Sequence, residues 1–527
     1  MSITSHRCVT ARPSRRSALR RAVRLILPAC CLLSLWVAEL PAGDTSGRAA
    51  AVASIEASDL ERIIAVLADD TFEGREAGAR GGRAAAGYLM RRFAALKLKP
   101  AGINGSYWQP FGSGYRNILA RLDGADPKLR HEYIVVCAHF DHVGYGNPRN
   151  SYGPFGYIHN GADDNASGSA TLLEIAEAFT KLPVPPRRSV LFALWDAEEK
   201  GLLGSRYWLD HPTIDRKQVD FALNLDMVGR LRNDRVEVYG SRTAAGLRRR
   251  MIAVNDRKPL RLDFIFTMRS DSDHYPFFEA RIPVVMLHTG LHEQYHRPTD
   301  DVERINFAGT ERVARLAFRI ALDAADGPAY QFRSASRVED EQTRARLESP
   351  ADKPPLRLGV WWRIDNDADH PLVIQHVVAG SAAANAGLQV GDRIVAFGKA
   401  DVASEKSFQQ LVRTSPVETT ITVRRAGKRQ PLTLPVELGG DAGPWGMRFR
   451  ADPGEPGTAI VSFVAPDSPA AAAQLKVGDR VYRVDGEPFE SPRGLRRRLR
   501  SHAAPWKLQV ERHGVLRERI VGGSNNS

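Results

Sequence analysis

Cysteine is nearly absent from this chain. Four occur in 527 residues, and three of them (Cys8, Cys30, Cys31) lie in an arginine-rich N-terminal stretch, leaving Cys137 alone in the remainder. A single thiol closes no internal disulfide, and without thiolate clusters a structural Cys-type zinc site is excluded. Stability must come from core burial. Long hydrophobic runs are missing too: the stretch 25–40, broken by Pro28 and ending beside Glu39, falls short of the ~18–20 residues of a comfortable membrane span. With 44 glycines and 32 prolines the chain is neither collagen-like nor low-complexity. Its 43% apolar and 26% charged residues exclude a wholly disordered chain, and its length suggests three or four domains. The formal charge of +13 is partly local. Without residues 1–42 the chain has 67 basic and 60 acidic residues, a net of +7, so global basicity says little about nucleic acid.

Arg7, Arg12, Arg15, Arg16, Arg20, Arg21 and Arg24 precede the short apolar run, the pattern of a secretory signal over 1–42. The alternative is a signal-anchor that stays uncleaved. Ser14-Arg15-Arg16-Ser17-Ala18-Leu19-Arg20 resembles the twin-arginine export motif, with Ala18 where an aromatic is usual. The expectation is an exported protein, periplasmic or extracellular in a bacterium, with no transmembrane span after leader removal.

Further on, apolar runs at 133–138, 189–195, 221–225 and 283–287 read as buried strands. Helical patterns lie at 58–68, 82–98, 167–181, 202–209, 244–254 and 307–325, the first opened by the capping-box spacing Ser58-Asp59-Leu60-Glu61. Such alternation predicts an α/β three-layer sandwich with a mostly parallel central sheet, whose ligands bind outside the carboxyl ends of the strands. Residues 328–355, polar and containing Pro350, Pro354 and Pro355, read as a linker.

Beyond it the chain repeats. Ala386-Gly387-Leu388-Gln389-Val390-Gly391-Asp392-Arg393 returns 87 residues later as Ala473-Gln474-Leu475-Lys476-Val477-Gly478-Asp479-Arg480. That period suits two tandem domains rather than a solenoid. Each copy has short β-rich runs and one helical stretch, 404–413 and 491–500. The copies, over 356–437 and 443–522, resemble PDZ domains of the permuted kind found in bacterial exported proteases. The resemblance implies extended peptides or protein C-termini as partners, with Leu358-Gly359-Val360 and Trp445-Gly446-Met447 as carboxylate loops.

Five sites suggest chemistry, each with a bland alternative. Val136-Cys137-Ala138-His139-Phe140-Asp141-His142 ends a strand; a histidine there can bind metal while a carboxylate holds its other nitrogen, or the segment is a capped turn. Gly161-Ala162-Asp163-Asp164-Asn165-Ala166-Ser167-Gly168 leads into a helix, and its acids can be ligands or simple caps. Asp196-Ala197-Glu198-Glu199 follows an apolar strand, and such a pair can divide metal binding from proton transfer or be a solvated helix start. Asp226 ends another strand, and Tyr295-His296-Arg297-Pro298-Thr299-Asp300 precedes the last helix. Jointly, two histidines and three or four carboxylates at strand ends fit a two-metal oxygen/nitrogen site.

Over residues 55–325 these ordered motifs closely resemble the co-catalytic zinc aminopeptidases of the bacterial leucyl aminopeptidase type, whose superfamily includes glutamate carboxypeptidases and glutaminyl cyclases. The resemblance implies a zinc exopeptidase fold at 55–327 and two zinc ions. His139 and Asp226 would hold one ion and Glu199 and His296 the other, bridged by Asp164 rather than Asp163, with a cis peptide at Asp164–Asn165. Glu198 would be the general base, Asp141 the acid that orients His139, and Tyr295 a hydrogen-bond donor to the tetrahedral oxyanion. Ser272-Asp273-His274 would lie near the substrate, with Asp271 where some relatives carry a basic residue. The implied reaction removes N-terminal residues from peptides with a free α-amine. Alternatives are a carboxypeptidase or glutaminyl cyclase on the same fold, or an inactive PDZ scaffold. Arg493-Gly494-Leu495-Arg496-Arg497-Arg498-Leu499-Arg500 is the one strong basic run; it reads as a solvated helix face, and no nucleic-acid partner is expected.

Overall fold

The computed structural model describes residues 45–255, 258–350, 357–365, 369–415, 417–439, 445–465 and 468–522. The leader expected at 1–42 and the end of the expected linker, with Pro354 and Pro355, lie outside these residues. Among the described residues the first sheet has nine strands: β1 (Lys99–Pro100), β2 (Trp108–Phe111), β3 (Tyr115–Leu122), β4 (Tyr133–His139), β5 (Ser189–Trp195), β6 (Val219–Leu225), β7 (Arg235–Tyr239), β8 (Arg261–Ile265) and β9 (Val284–His288). Their order is β1-β3-β5-β4-β6-β9-β7-β8, with β2 on β3. The four central strands β5-β4-β6-β9 are parallel. Antiparallel pairs flank them, β3 with β5 and β7 with β9, so the sheet is mixed.

Alternation along the apolar runs explains the layers. Ile134, Val136, Phe192, Leu194, Leu223 and Leu225 face one core, whereas Val135, Cys137, Leu191, Ala193, Trp195 and Ala222 face another. On the first side lie α1 (Thr45–Ala53), α2 (Ala57–Leu67), α3 (Arg80–Ala95), α4 (Gly168–Thr180), α6 (Leu247–Val254) and the 20-residue α8 (Phe307–Asp326). On the second lie α5 (Leu203–Asp210) and α7 (His274–Glu279). Cys137, the single described cysteine, is a buried core residue.

The capping expectation for α2 was misplaced. The helix begins at Ala57, whose N–H donates to Glu311 Oε2 of α8 at 2.9 Å, so a carboxylate from a neighbouring helix replaces a local cap. Nearby, Glu174 of α4 is 1% exposed, and among the described residues no cation pairs with its carboxylate, which the Glu56 main chain eases only weakly. Burial pushes its pKa up to about 7, with Asp59 and Glu177 adding to the rise. The folded state therefore keeps a proton that the unfolded chain releases near pH 4.5, and stability falls as pH rises from about 4.5 to 7. Glu174→Gln is expected to stabilise by up to about 3 kcal/mol at pH 8 and to change little at pH 4. Urea unfolding at the two pH values checks this, and equal effects at both would refute it.

The segment read as a linker is built into the structure. Its described part contains α9 (Glu341–Glu348), capped by Asp340. Glu341 Oε1 accepts from the Phe266 N–H at 2.7 Å, Arg344 pairs with Asp263 at 2.7 Å, and Glu348 reaches Arg480 at 3.4 Å. Composition revealed the polarity of this stretch but not its partners.

Two six-stranded sheets follow, with the same strand order. The first contains β10 (Val360–Ile364), β11 (Leu372–Val377), β12 (Arg393–Phe397), β13 (Ala400–Asp401), β14 (Glu418–Arg424) and β15 (Leu432–Glu437), with helices α10 (Ala382–Asn385) and α11 (Glu405–Thr414). The second contains β16 (Met447–Ala451), β17 (Ala459–Val464), β18 (Arg480–Val484), β19 (Glu487–Pro488), β20 (Trp506–Arg512) and β21 (Val515–Val521), with α12 (Pro469–Ala472) and α13 (Pro492–Ser501). The repeated Gly-Asp turn has one physical role in both. Asp392 accepts from the Gln389 N–H and pairs with Arg425 at 2.7 Å; Asp479 accepts from the Lys476 N–H and pairs with Arg512 at 2.6 Å.

The second repeat is joined to the first domain by buried ion pairs. Arg242 meets Asp452 at 2.6 Å and Arg248 meets Glu511 at 2.9 Å across the joint, and within the repeat Asp452 is also held at 2.7 Å by Arg480, both side chains fully buried. The arginine run of α13 is not simply solvated: Arg493 and Arg496 pair with Glu437, and Arg500 with Glu418, all acids of the first repeat.

Candidate metal centre

The chemistry-bearing residues collect at the carboxyl ends of the central strands. His139 ends β4, Glu198 and Glu199 follow β5, and Asp226 follows β6. His296 arrives from the loop between β9 and α8, and Asp164 from the loop before α4. Two donor groups result. One contains His139, Glu198 and Asp226; the other contains His142, Asp164, Glu199 and His296. Asp164 also reaches the first group, Oδ1 lying 3.4 Å from His139 Nε2, while its Oδ2 lies 3.0 Å from His296 Nε2. His139 Nε2 stands 3.5 Å from Asp226 Oδ1, and His296 Nε2 stands 3.3 Å from Glu199 Oε1.

The loop carrying Asp164 is held from several directions. Asp300 Oδ2 accepts the main-chain N–H groups of Asp163 (2.9 Å) and Asp164 (3.1 Å). Asp163 turns away from the donor groups, accepting from Gly229 N–H and Ser167 Oγ–H and facing His292 Nε2 at 3.2 Å. The Asp164–Asn165 peptide is cis. Arg75 is fully buried and donates to the carbonyls of Leu67, Phe140, Asn160 and Gly161, tying the end of β4 to this loop. Burial brings its pKa down to about 10, so it stays charged at neutral pH. Arg75 and His292 went unassigned in the sequence, and Asp163 stood there only as the acid set aside in favour of Asp164. Asp300 was visible in its motif, but no local signal revealed its long-range bonds.

Asp141 acts differently from expectation. His139 Nδ1 lies closer to the Asp141 main-chain carbonyl (3.2 Å) than to its carboxylate (3.8 Å). The carboxylate instead accepts the N–H groups of Glu198 and Glu199 at 3.0 and 3.3 Å. The carbonyl thus favours a proton on Nδ1 and leaves the Nε2 lone pair free, while the carboxylate positions the two glutamates. Ala197, Met227 and His296 have φ of 60°, 50° and 53°, left-handed backbone that non-glycine residues rarely adopt and that concentrates at functional sites.

Charge describes the centre as well as distance does. Burial would raise Glu199, but hydrogen bonds with His142 and His296 pull it well below the usual carboxylate range. Burial opposes charge on His296, yet Asp164 and Glu199 lift its pKa to about 11. The pocket thus draws positive charge to its centre. Oxygen and imidazole donors 3.0–3.5 Å apart match the ~3.3 Å edges of a tetrahedron with ~2.0–2.1 Å zinc bonds, so the residues present fit divalent cations.

A cavity of about 460 Å³ opens over both donor groups. Glu198 and Tyr295 line it, and its outer wall includes Glu237, Tyr239, Arg269, Asp271, Met286 and Glu341. Ser272, Asp273 and His274 do not line it. They are buried behind it, Ser272 accepting from Asn224 Nδ2–H and Asp273 from Ser205 Oγ–H, while burial holds His274 near a pKa of about 4 and therefore neutral.

The layered α/β fold carries both donor groups at its strand ends, and residues 117–321 match peptidase family M28. Residues 373–425 and 445–519 match PDZ domains. The chain carries a peptidase family M28 domain followed by two PDZ domains. Among curated relatives, aminopeptidase YwaD of Bacillus subtilis is 33% identical over 202 residues, 34% of this chain and 38% of the relative. Leupeptin-inactivating enzyme 1 of Streptomyces exfoliatus is 31% identical over 179 residues, 34% of this chain and 36% of the relative. The matched region therefore spans less than two fifths of either relative. Among solved structures, the Bacillus subtilis zinc aminopeptidase BSAP aligns with a TM-score of 0.42 and 17% identity, over 53% of this chain and 98% of that one. No helix among the described residues is long and apolar enough to cross a membrane.

Proposed function

We propose that this protein is an exported zinc aminopeptidase that releases N-terminal residues from peptides. The observation that carries the reading is the sharing of Asp164 between two donor groups at the floor of one cavity. His139 and Asp226 would hold one ion, Glu199 and His296 the other, and Asp164 both. Two bound cations would supply Lewis-acid polarisation of the scissile carbonyl and a water acidified towards a pKa of ~7.

The chain's own residues do the rest. Glu198, held by the Asp141 bond to its N–H, takes the proton from the attacking water and delivers it to the leaving amine. Tyr295 lines the cavity with its hydroxyl held neutral, burial and Asp164 raising its pKa far above the usual range, so it donates a hydrogen bond to the developing oxyanion. Glu237, Asp271 and Glu341 set three carboxylates against the one guanidinium of Arg269 in the wall, a setting suited to a substrate's free ammonium. The PDZ domains would recruit extended peptides: β10 and β16 are edge strands, and Gly359 and Gly446 turn at φ +85° and +78° beside them.

The deciding assay offers matched peptides with free or acetylated N-termini, with and without chelator. Cleavage of the free peptide alone, abolished by chelator and restored by Zn²⁺, is the expected outcome. Equal cleavage of the acetylated peptide would refute the aminopeptidase reading.

A further inference from the structure

His142 lies three residues beyond His139 and has no place in the ligand set proposed above, yet it is 1% exposed and its Nδ1 faces the centre. Nδ1 stands 2.9 Å from Glu199 Oε1 and 3.7 Å from Asp164 Oδ2, the two oxygens that His296 Nε2 approaches at 3.3 and 3.0 Å. All four ligand atoms lie within 4.8 Å of one another. Four of the six separations are therefore 2.9, 3.0, 3.3 and 3.7 Å, bracketing the ~3.3 Å edge of a tetrahedral zinc site. A hydrogen bond to Glu199 alone would not require convergence on Asp164 and His296 as well.

The surroundings hold the ring in this pose. The His142 N–H donates to the Arg75 carbonyl at 3.3 Å. The imidazole packs edge-on to His296 with ring centres 5.5 Å apart. On the other side lies Gly161 at φ +55°, where a Cβ would sit 2.5 Å from His142 Cδ2, so a glycine makes room for the ring. Nδ1 has polar neighbours, whereas Nε2 has no hydrogen-bond partner among the described residues.

We propose that His142 is a fourth protein ligand of the cation held by Asp164, Glu199 and His296, which closes that half of the centre. This rests on the two-cation reading above and deepens it. The other half then has His139, Asp226 and the shared Asp164, with Glu198 reserved for proton transfer, and keeps the open position. Closed sites of four protein donors serve to hold an ion, and sites with three donors plus an open position serve chemistry. The two halves thus differ in kind: a two-imidazole, tightly held ion beside a more exchangeable one with a single imidazole.

The test uses the full chain, stripped with chelator and titrated with Co²⁺ or Zn²⁺. Wild-type protein is expected to take up two ions in two affinity classes. His142→Asn retains a hydrogen-bond donor near the Nδ1 position but is a poor ligand. It is expected to weaken the tighter class by at least about 100-fold, more than loss of a merely supporting residue, and to reduce the Co²⁺ visible absorption of that class. Unchanged affinities and spectrum in a folded His142→Asn protein would overturn the proposal. X-ray absorption of the wild-type di-zinc protein needs no variant: three imidazoles shared by two ions are expected, and two would overturn the role of His142 alone. A wild-type chain that binds no divalent ion would overturn both readings.

Discussion

Glu198→Gln is expected to lower kcat by ~10²–10⁴-fold while leaving zinc content and thermal unfolding unchanged. The substitution keeps the side chain's shape but removes its capacity to take a proton. Glu198 lines the cavity, grouped with His139 and Asp226, and its N–H is fixed by Asp141. Burial pushes its carboxyl well above the usual carboxylate range, although the charge on His139 works against that rise. Steady-state kinetics with metal analysis on the same samples checks the expectation. A variant that kept more than about a tenth of wild-type kcat would show that the proton moves elsewhere. Loss of zinc together with activity would instead make Glu198 a ligand.

The other large effect concerns the joint between the peptidase domain and the second PDZ repeat. Arg480→Met is expected to destabilise the protein by about 3–5 kcal/mol, the usual cost of breaking a buried ion pair from one side. Arg480 is completely buried, bonds Asp452 at 2.7 Å, and approaches Glu348 and Glu511 at 3.4 and 3.8 Å. Burial alone would raise Asp452, but Arg480 and Arg242 hold its pKa at about 2. That depression contributes stability above pH ~4, lost as pH falls towards 2. Urea unfolding at pH 7 in low and high salt is the measurement. A loss below about 1 kcal/mol, or one erased by salt, would mean that the pairs behave as exposed ones.

Strands and ligands were legible to different depths. β4, β5, β6 and β9 were readable because they are buried on both faces and therefore continuously apolar. β7 and β8 escaped because charged and apolar residues alternate along them, as in Arg235-Val236-Glu237-Val238, and their polar side is satisfied by the Arg235–Asp263 pair. Most of the side chains that the structure gathers into the two donor groups stand in motifs at strand ends. The place of His142 in the second group was not readable, because a turn in space brings it back beside Glu199. Asp141 shows the same limit: its spacing from His139 suggested a carboxylate contact, yet the main-chain carbonyl is the nearer partner.

The short helix α9 has a practical corollary. Its eight residues span about 12 Å, from Glu341 in the cavity wall to Glu348 beside the arginines of the second PDZ repeat. A fragment ending at 327, the natural place to cut by composition, would remove Glu341 from the cavity wall. It would also leave Arg242 and Arg248 without Asp452, Glu339 and Glu511. Kinetic constants from such a fragment would describe a different vessel, so peptide preferences need to be measured on the whole chain.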